Sequence, residues 1–286
     1  MKVTAGIVLF NPDINRLKEN VSAIESQVDE IIFFDNGSKN ISEIKIMVAG
    51  INSESVLLTS SKNIGIAQAL NEIARYAIKN KYKWLLTLDQ DSVVYPNLIA
   101  QYKKKLNLPH LGQISCKRVD RNIKDDNITF NDCSVKEVKY CITSGTLINL
   151  EALKKINGFD GKLFIDWVDN EVCCALRKAG YKTYELNYKG LLQEMGKATF
   201  SVFLRKKIYT PNYPAIRYFY NARNSIYTAR KYPTEENVCI KVLQQCKVQI
   251  HIIIFEKNKL KKFCSIARGI RAGLGLSKYH DRGLYE

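Results

Sequence analysis

The 286-residue chain contains no uninterrupted apolar run of the roughly 18 residues that a membrane span needs, so a chain that does not cross a membrane is expected. Its first ten residues, Met1 to Phe10, are apolar but lack a long charged leader and a small-residue cleavage site. They read as a first buried strand. None of the eight cysteines is spaced as CxxC, which speaks against a zinc knuckle or a redox pair and for reduced thiols. The adjacent Cys173 and Cys174 fall in a helical pattern and read as packing. Internal repeats and low-complexity segments are absent. Acidic residues are the scarce class: 28 Asp and Glu stand against 44 Lys and Arg, and the surplus of +16 asks for an anionic partner. With 46% hydrophobic and 25% charged residues, disorder is excluded as the main state, and the length suits one large α/β domain or two small ones.

What is present is organised by strand ends. Four apolar runs, Lys2–Phe10, Ile31–Phe34, Val56–Leu58 and Trp84–Leu88, alternate with helical patterns such as Ile14, Leu17, Val21, Ile24 and Val28, and a second helix from Ile64 to about Lys79. This rhythm of strand, helix, strand, strand, helix, strand predicts an α/β fold with a Rossmann-like, mostly parallel open sheet. The first, second and fourth runs end in Asn11, Asp35 and the pair Asp89/Asp91. Ligands of open α/β sheets bind outside the carboxyl ends of the strands, so these residues are expected to line one cleft. The second half is less regular, with an extended stretch near Val135–Leu150, an acidic loop and helix over Gly158–Ala179 and a strand near Tyr184–Leu192. From Pro233 the pattern turns helical and basic, which divides the chain into a domain over 1–232 and a helical extension over 233–286. Of the sixteen surplus charges, twelve lie between Phe200 and Glu286.

Four groups of residues carry candidate chemistry. Asp89-Gln90-Asp91 follows a buried strand, and carboxylates facing a diphosphate are how Mg²⁺ or Mn²⁺ is held. Asp35 offers an acceptor to the ring N–H of a uracil or thymine, although Asp-Asn-Gly-Ser is also strong turn chemistry. Lys62-Asn63-Ile64-Gly65 precedes a helix, where glycine permits close backbone approach and Lys62 can face phosphate. Lastly, Asp166, Asp169 and Glu171 enter a helix beside Trp167. A carboxylate there can take a proton from an attacking hydroxyl, and the indole gives a sugar ring an apolar face. On one helical turn Asp166 and Asp169 would point in a similar direction.

These segments resemble, nearly end to end, the bacterial rhamnosyltransferase branch of the family 2 glycosyltransferases, inverting enzymes of the GT-A fold. The resemblance is carried by Gly6–Pro12, Asp35-Asn36-Gly37-Ser38, Lys62–Ala67, Leu88–Ser92, Ser144-Gly145 and Gly158–Asp169. Arg217–Asn224 and Arg268–Leu274 add to it. It implies transfer of a sugar, L-rhamnose from dTDP-rhamnose, onto a saccharide or lipid-linked saccharide in cell-surface polysaccharide synthesis. Other readings stay open: a UDP-linked hexose or galactofuranose as donor, or a homologue that binds a nucleotide sugar without transferring it. In the implied site Asp169 is the general base and Asp166 the second candidate. Phe10, Asn11, Asp35, Lys62, Asn63, Gly65, Asp89 and Gln90 line the nucleotide sugar. Asp91, with Asp89 and Gln193, holds Mg²⁺ or Mn²⁺, and Trp167 and Arg223 contact acceptor or phosphate. Gln193-Glu194-Met195-Gly196 stands where the family usually has His-x-x-Gly, so an amide oxygen replaces an imidazole. The implied location is cytoplasmic. The basic C-terminal helix either lies on the inner face of the membrane or packs its apolar side on the domain. A nucleic-acid partner is not expected, since charge alone speaks for it and no binding motif does.

Overall fold

The computed structural model describes residues 2–121, 132–193, 199–203, 206–210, 212–278 and 283–284. They form two compact units. The first takes the described residues within Met1–Lys162, Val168–Glu194 and Asp281–Glu286, and the second those within Leu163–Trp167 and Met195–His280.

In chain order the first unit contains β1 (Val3–Leu9), α1 (Ile14–Ile24), β2 (Glu30–Asn36), α2 (Ile41–Ala49), β3 (Ser55–Ser60), α3 (Ile66–Lys79), β4 (Trp84–Asp89), β5 (Val93–Val94) and α4 (Leu98–Lys103). It continues with β6 (Leu111–Asp120), β7 (Val135–Glu137), β8 (Thr146–Asn149), α5 (Leu150–Lys155), α6 (Val168–Lys178) and β9 (Lys182–Gln193). The strands pair in the order β3-β2-β1-β4-β8-β6-β9-β5, with β7 also on β9. The strands β3, β2, β1 and β4 run parallel, as expected of apolar strands covered on both faces. β8 then pairs antiparallel with both β4 and β6. Since β1 lies between β2 and β4, the polar ends of the three strands meet: Leu9 pairs with Asp35, and Val8 with Asp89.

Local chemistry explains the elements. Asp13 caps α1 by accepting from the backbone N–H groups of Asn15 and Arg16. Leu17, Val21 and Ile24, at helical spacing, are buried in the core with Ile7, Leu9, Phe33 and Leu88. The sequence pattern passes from the second strand to the third without a helix, yet α2 intervenes. Its apolar residues do not mark one face, because Ile44 and Met47 are buried whereas Ile46 is exposed. Cys173 and Cys174 are buried, as the packing reading expects, and all eight cysteines are free.

The second unit holds a two-stranded antiparallel sheet of β10 (Thr199–Phe203) and β11 (Lys206–Thr210), then α7 (Ala215–Lys231), α8 (Val238–Phe255) and α9 (Lys259–Gly275). The sequence reading places its domain boundary at 232, after α7, whereas in the structure α7 belongs to the same compact unit as the C-terminal helices. The reason is close packing. A Cβ on Gly269 would meet the Phe219 carbonyl oxygen at 2.5 Å, and one on Gly273 the Arg223 carbonyl oxygen at 2.5 Å, so α9 lies tight against α7. Helix α7 lacks a clear apolar period because Asn224, Ser225 and Thr228 share its buried side with Tyr218, Ala222 and Ile226. Helix α8 also departs from expectation. By length and composition it could cross a membrane; Lys241 and Lys247 interrupt the apolar run but not the helix.

Candidate functional site

The first unit gathers most of the expected residues through a continuous set of hydrogen bonds at the ends of β1, β2 and β4. The Phe10 N–H donates to Gln90 Oε1 at 2.8 Å. Asn11, in the left-handed region at φ 47°, donates its N–H to Ser38 Oγ and accepts from the Lys39 N–H on Oδ1, each at 2.8 Å. Asn36 donates to Asn63 Oδ1 at 3.1 Å and accepts from the Ile64 N–H at 2.8 Å, while Asn63 Oδ1 also accepts from the Gly65 N–H. Gly37, at φ +79°, lets the turn after β2 approach the next loop: a Cβ there would meet the Lys62 carbonyl carbon at 2.7 Å. Lys62 itself is exposed.

Asp35 is 2% exposed, and both carboxylate oxygens accept from the Ser38 N–H, at 3.3 and 3.2 Å. The turn chemistry is therefore realised. A carboxylate has more lone pairs than this one N–H uses, so a further donor can still be accepted.

Asp89 ends β4 at the rim of the sheet, with its carboxyl set among protein groups. Its backbone is held from both sides: the carbonyl accepts from Asn20 Nδ2 at 2.7 Å and the N–H donates to Ser144 Oγ at 3.0 Å. Ser144 donates in turn to Ser92 Oγ at 2.9 Å, within the buried interior. The surrounding protein, then the negative charges of Asp91 and Asp169, push the Asp89 carboxyl up to about 6; Gln193 and Arg118 oppose the rise. Gln193 Nε2 donates to Asp89 Oδ2 at 2.6 Å, and its Oε1 is buried without a partner among the described residues. Three carboxylates are thus close enough to repel one another, beside an unused amide oxygen. Among the described residues no three or more His, Cys, Asp or Glu side chains are gathered into a metal-holding group.

Asp169 lies in the first turn of α6 and accepts from the Asn170 N–H at 3.0 Å. Asp166 and Trp167 precede the helix, at φ 63° and 68°, so the shared helical turn expected for Asp166 and Asp169 does not exist. Left-handed backbone at a tryptophan is rare and has to be held in place. In the second unit Asn224 Nδ2 donates to the carbonyls of Ile165 and Asp166, at 2.8 and 2.9 Å. Arg217 pairs with Asp166 at 3.1 Å. Burial raises the Asp166 carboxyl and Arg217 counteracts the rise. Lys241 sits 4.7 Å from the Trp167 ring centre. Arg223 donates to Asn224 Oδ1 at 2.8 Å and lies over Tyr220.

The sequence-derived site therefore divides between the units. Phe10, Asn11, Asp35, Lys62, Asn63, Gly65, Asp89, Gln90, Asp91, Asp169 and Gln193 belong to the first, and Asp166, Trp167 and Arg223 to the second. Glu194 to Gly196 lie outside the described residues. Sequence reasoning missed Asn20 and gave Ser144 and Asn224 no task. Asn20 was detectable as a polar residue on the otherwise apolar side of α1, next to Val21.

Comparison with known proteins identifies the family. Residues 4–182, more than half of the chain, match the model of Glycosyl transferase family 2. The chain is 24% identical to the dTDP-rhamnosyl transferase RfbF of Shigella flexneri, an alignment covering 97% of this chain and 98% of that one. The fold is similar to the mannosyltransferase PcManGT of Pyrobaculum calidifontis, solved with GDP-Man and Mn²⁺, with a TM-score of 0.59 at 14% identity over 96% of this chain and 76% of that one. It is also similar to residues 1–349 of S. aureus TarS with UDP-GlcNAc: TM-score 0.59 at 11% identity, covering 94% and 79% of the two chains. Of a longer TarS chain, this protein spans 37%. With its family model matched over more than half of its length, the chain belongs to glycosyl transferase family 2 and is a glycosyltransferase of the GT-A fold.

Proposed function

We propose that the protein transfers L-rhamnose from dTDP-rhamnose, with inversion, onto a saccharide or lipid-linked saccharide destined for cell-surface polysaccharide. The observation that carries the reading is the group of Asp89, Asp91 and Asp169 beside Gln193 at the ends of the sheet. The near full-length similarity to a dTDP-rhamnosyl transferase supports the choice of sugar. Eight free thiols suit a cytoplasmic location.

In this reading the donor lies across β1, β2 and β4. Asp35 receives the ring N–H of the thymine. Asn11, Asn63 and Gly65 shape the loops around the nucleotide, and exposed Lys62 faces its phosphates. Asp169 takes the proton of the acceptor hydroxyl as that oxygen attacks the anomeric carbon. The bond from that carbon to the diphosphate oxygen breaks, and the nucleoside diphosphate leaves with the electron pair. Trp167 and Arg223 are assigned to contact with acceptor or phosphate.

The residues present fit a divalent cation. Mg²⁺ and Mn²⁺ take oxygen ligands, and Mg²⁺ commonly uses one or two carboxylates completed by substrate phosphates rather than an all-protein cage. Asp89, Asp91 and the unpartnered Gln193 Oε1 would hold it. When bound, the ion neutralises charge on the leaving diphosphate.

The test is thermal stabilisation and release of nucleoside diphosphate with dTDP-rhamnose, UDP-galactofuranose and UDP-glucose, each with Mg²⁺ or Mn²⁺. Strongest stabilisation and sole turnover with dTDP-rhamnose is the expected result. Preference for a UDP-sugar would reassign the donor. Binding without turnover of any donor, across a panel of acceptors, would leave a nucleotide-sugar-binding homologue.

A further inference from the structure

We propose that α8 and α9 form a docking surface for an anionic phospholipid bilayer, on which the protein lies without crossing it. This goes beyond the sugar reading and does not depend on it. The first observation is that α8 is turned inside out. Gln245 is buried and donates to Asn221 Oδ1 and Ser225 Oγ on α7, at 3.2 Å each. Leu243, Ile250, Ile253 and Ile254 face outward, with Leu243 61% and Ile250 58% exposed. Their spacing places them on one side of the helix. In α9, Leu260 is 83% exposed, and Phe263 and Leu274 are exposed on a common side with it. A helix facing only water would be expected to carry the opposite pattern.

Charge selects the occupant. From Val238 to Lys278 there are nine Lys and Arg and one acidic residue, Glu256. Glu256 is buried, bonded to Tyr218 and Lys262. The outward faces of α8 and α9 therefore carry Lys247, Lys257, Lys259, Lys261, Arg268 and Arg271 with no exposed carboxylate among the described residues. Two copies of such a surface repel each other, which argues against self-association. A neutral apolar partner leaves the cations unused. An anionic bilayer satisfies both features: isoleucine, leucine and phenylalanine enter the acyl boundary while lysine and arginine meet the phosphates. An open recess of about 440 Å³, lined by Arg268, Arg271, Ala272, Gly275 and Leu276, offers a seat for a headgroup. Surface docking rather than spanning follows from the inner side of α8, where Gln245 and Ile252 are committed to the protein.

Vesicle flotation of the full chain tests the proposal, using phosphatidylcholine alone and phosphatidylcholine with phosphatidylglycerol. The expected result is binding to the anionic vesicles only, weakened by salt. In Ile250→Glu/Ile253→Glu, partitioning should fall about a hundredfold, since two apolar side chains of this size leave the acyl boundary. Both positions are exposed, so the fold should survive, which circular dichroism verifies. Lys18→Glu, at an exposed position of α1 in the first unit, is the control for charge alone and should bind as the parent chain does. No binding to anionic vesicles, or binding indifferent to the double substitution, would overturn the proposal. So would concentration-dependent self-association that the double substitution removes, since the occupant would then be a second copy.

Discussion

The two units invert each other. In the sheet unit the parallel strands β1, β2 and β4 are mostly apolar through their middles, and β2 and β4 close on polar residues at their carboxyl ends, where Asp35, Asn36 and Asp89 stand. In the helical unit Gln245, Glu256 and Lys262 are inside, and Leu243, Ile250 and Leu260 are outside. The inner core there is small, built around Tyr218, Ala222, Ile252 and Ile266. A unit that concentrates carboxylates at one rim is built for a small, phosphate-bearing ligand. A unit that shows apolar and cationic groups together is built for an extended anionic surface. The +16 surplus is thus not one feature, since from Val238 to Lys278 nine Lys and Arg meet only one acidic residue, the buried Glu256.

The largest test of that division sets Asp169 against Asp166. If the chemistry belongs to the sheet unit, Asp169→Asn loses about 10²- to 10⁴-fold in turnover, as expected for a general base, while donor affinity is kept. Asp166→Asn should keep most of the turnover, because that carboxylate is already engaged by Arg217. Steady-state kinetics with donor binding by calorimetry separates the cases. The reverse ranking would move the base into the helical unit and break the comparison.

The next effect concerns the inverted interior of the helices. Replacing Glu256 with leucine leaves Lys262 buried without its carboxylate and should cost about 3–5 kcal/mol. The Glu256→Leu/Lys262→Leu pair should recover most of that loss, because both charges leave together. Denaturant unfolding of the two variants measures the difference. A single variant as stable as the parent would show the charges to be solvated, and the helical interior to be less inverted than Gln245, Glu256 and Lys262 make it.

The sheet unit was readable in the sequence for a physical reason. Strands buried on both faces announce themselves as apolar runs, and their ends by the first polar residue. Asn11, Asp35 and Asp89 were found in this way, and the hydrogen bonds from Phe10 to Gln90 and from Asn11 to Ser38 join their loops. Helix α7 was hidden because its buried side mixes Asn224 and Thr228 with Ile226. At Asp166 and Trp167 the sequence pattern predicts helix where the structure has a bend. Nothing local marks left-handed backbone at those residue types, and the bonds from Asn224 and Arg217 that hold it come from more than fifty residues away. The orientation of α8 was equally invisible, since periodicity reports an apolar side but not which side turns inward.

A smaller effect is expected at Ser144. Ser144→Ala removes the acceptor of the Asp89 N–H and the donor to Ser92, leaving an unmet donor that costs about 1–3 kcal/mol. As a support for a ligand-bearing residue, its loss should also weaken metal-dependent donor binding by about tenfold. Ser144→Thr, which keeps the hydroxyl, should restore the affinity. Equal donor affinity in Ser144→Ala would mean that the strand end is positioned without it.

The smallest and most diagnostic effect is electrostatic. An aspartate raised from 3.8 to about 6 holds its proton in the folded protein over a pH range where the unfolded chain has released it. Within that window folding is favoured as pH falls, and the contribution is lost as pH rises through about 6, where Asp89 becomes charged beside Asp91 and Asp169. In the protein without added metal, carbon-detected NMR of the aspartate carboxyls should show one group titrating near 6. Asp91→Asn should lower that value only part of the way, because burial is the larger cause and the Asp169 charge persists. Asp89→Asn should flatten the pH dependence of the unfolding temperature between about 4 and 6, since its side chain binds no proton there. An Asp89 that titrates near 4 would show its carboxyl to be solvated and clear of Asp91 and Asp169, and the sheet unit would lose the feature that sets its rim against the cationic helices.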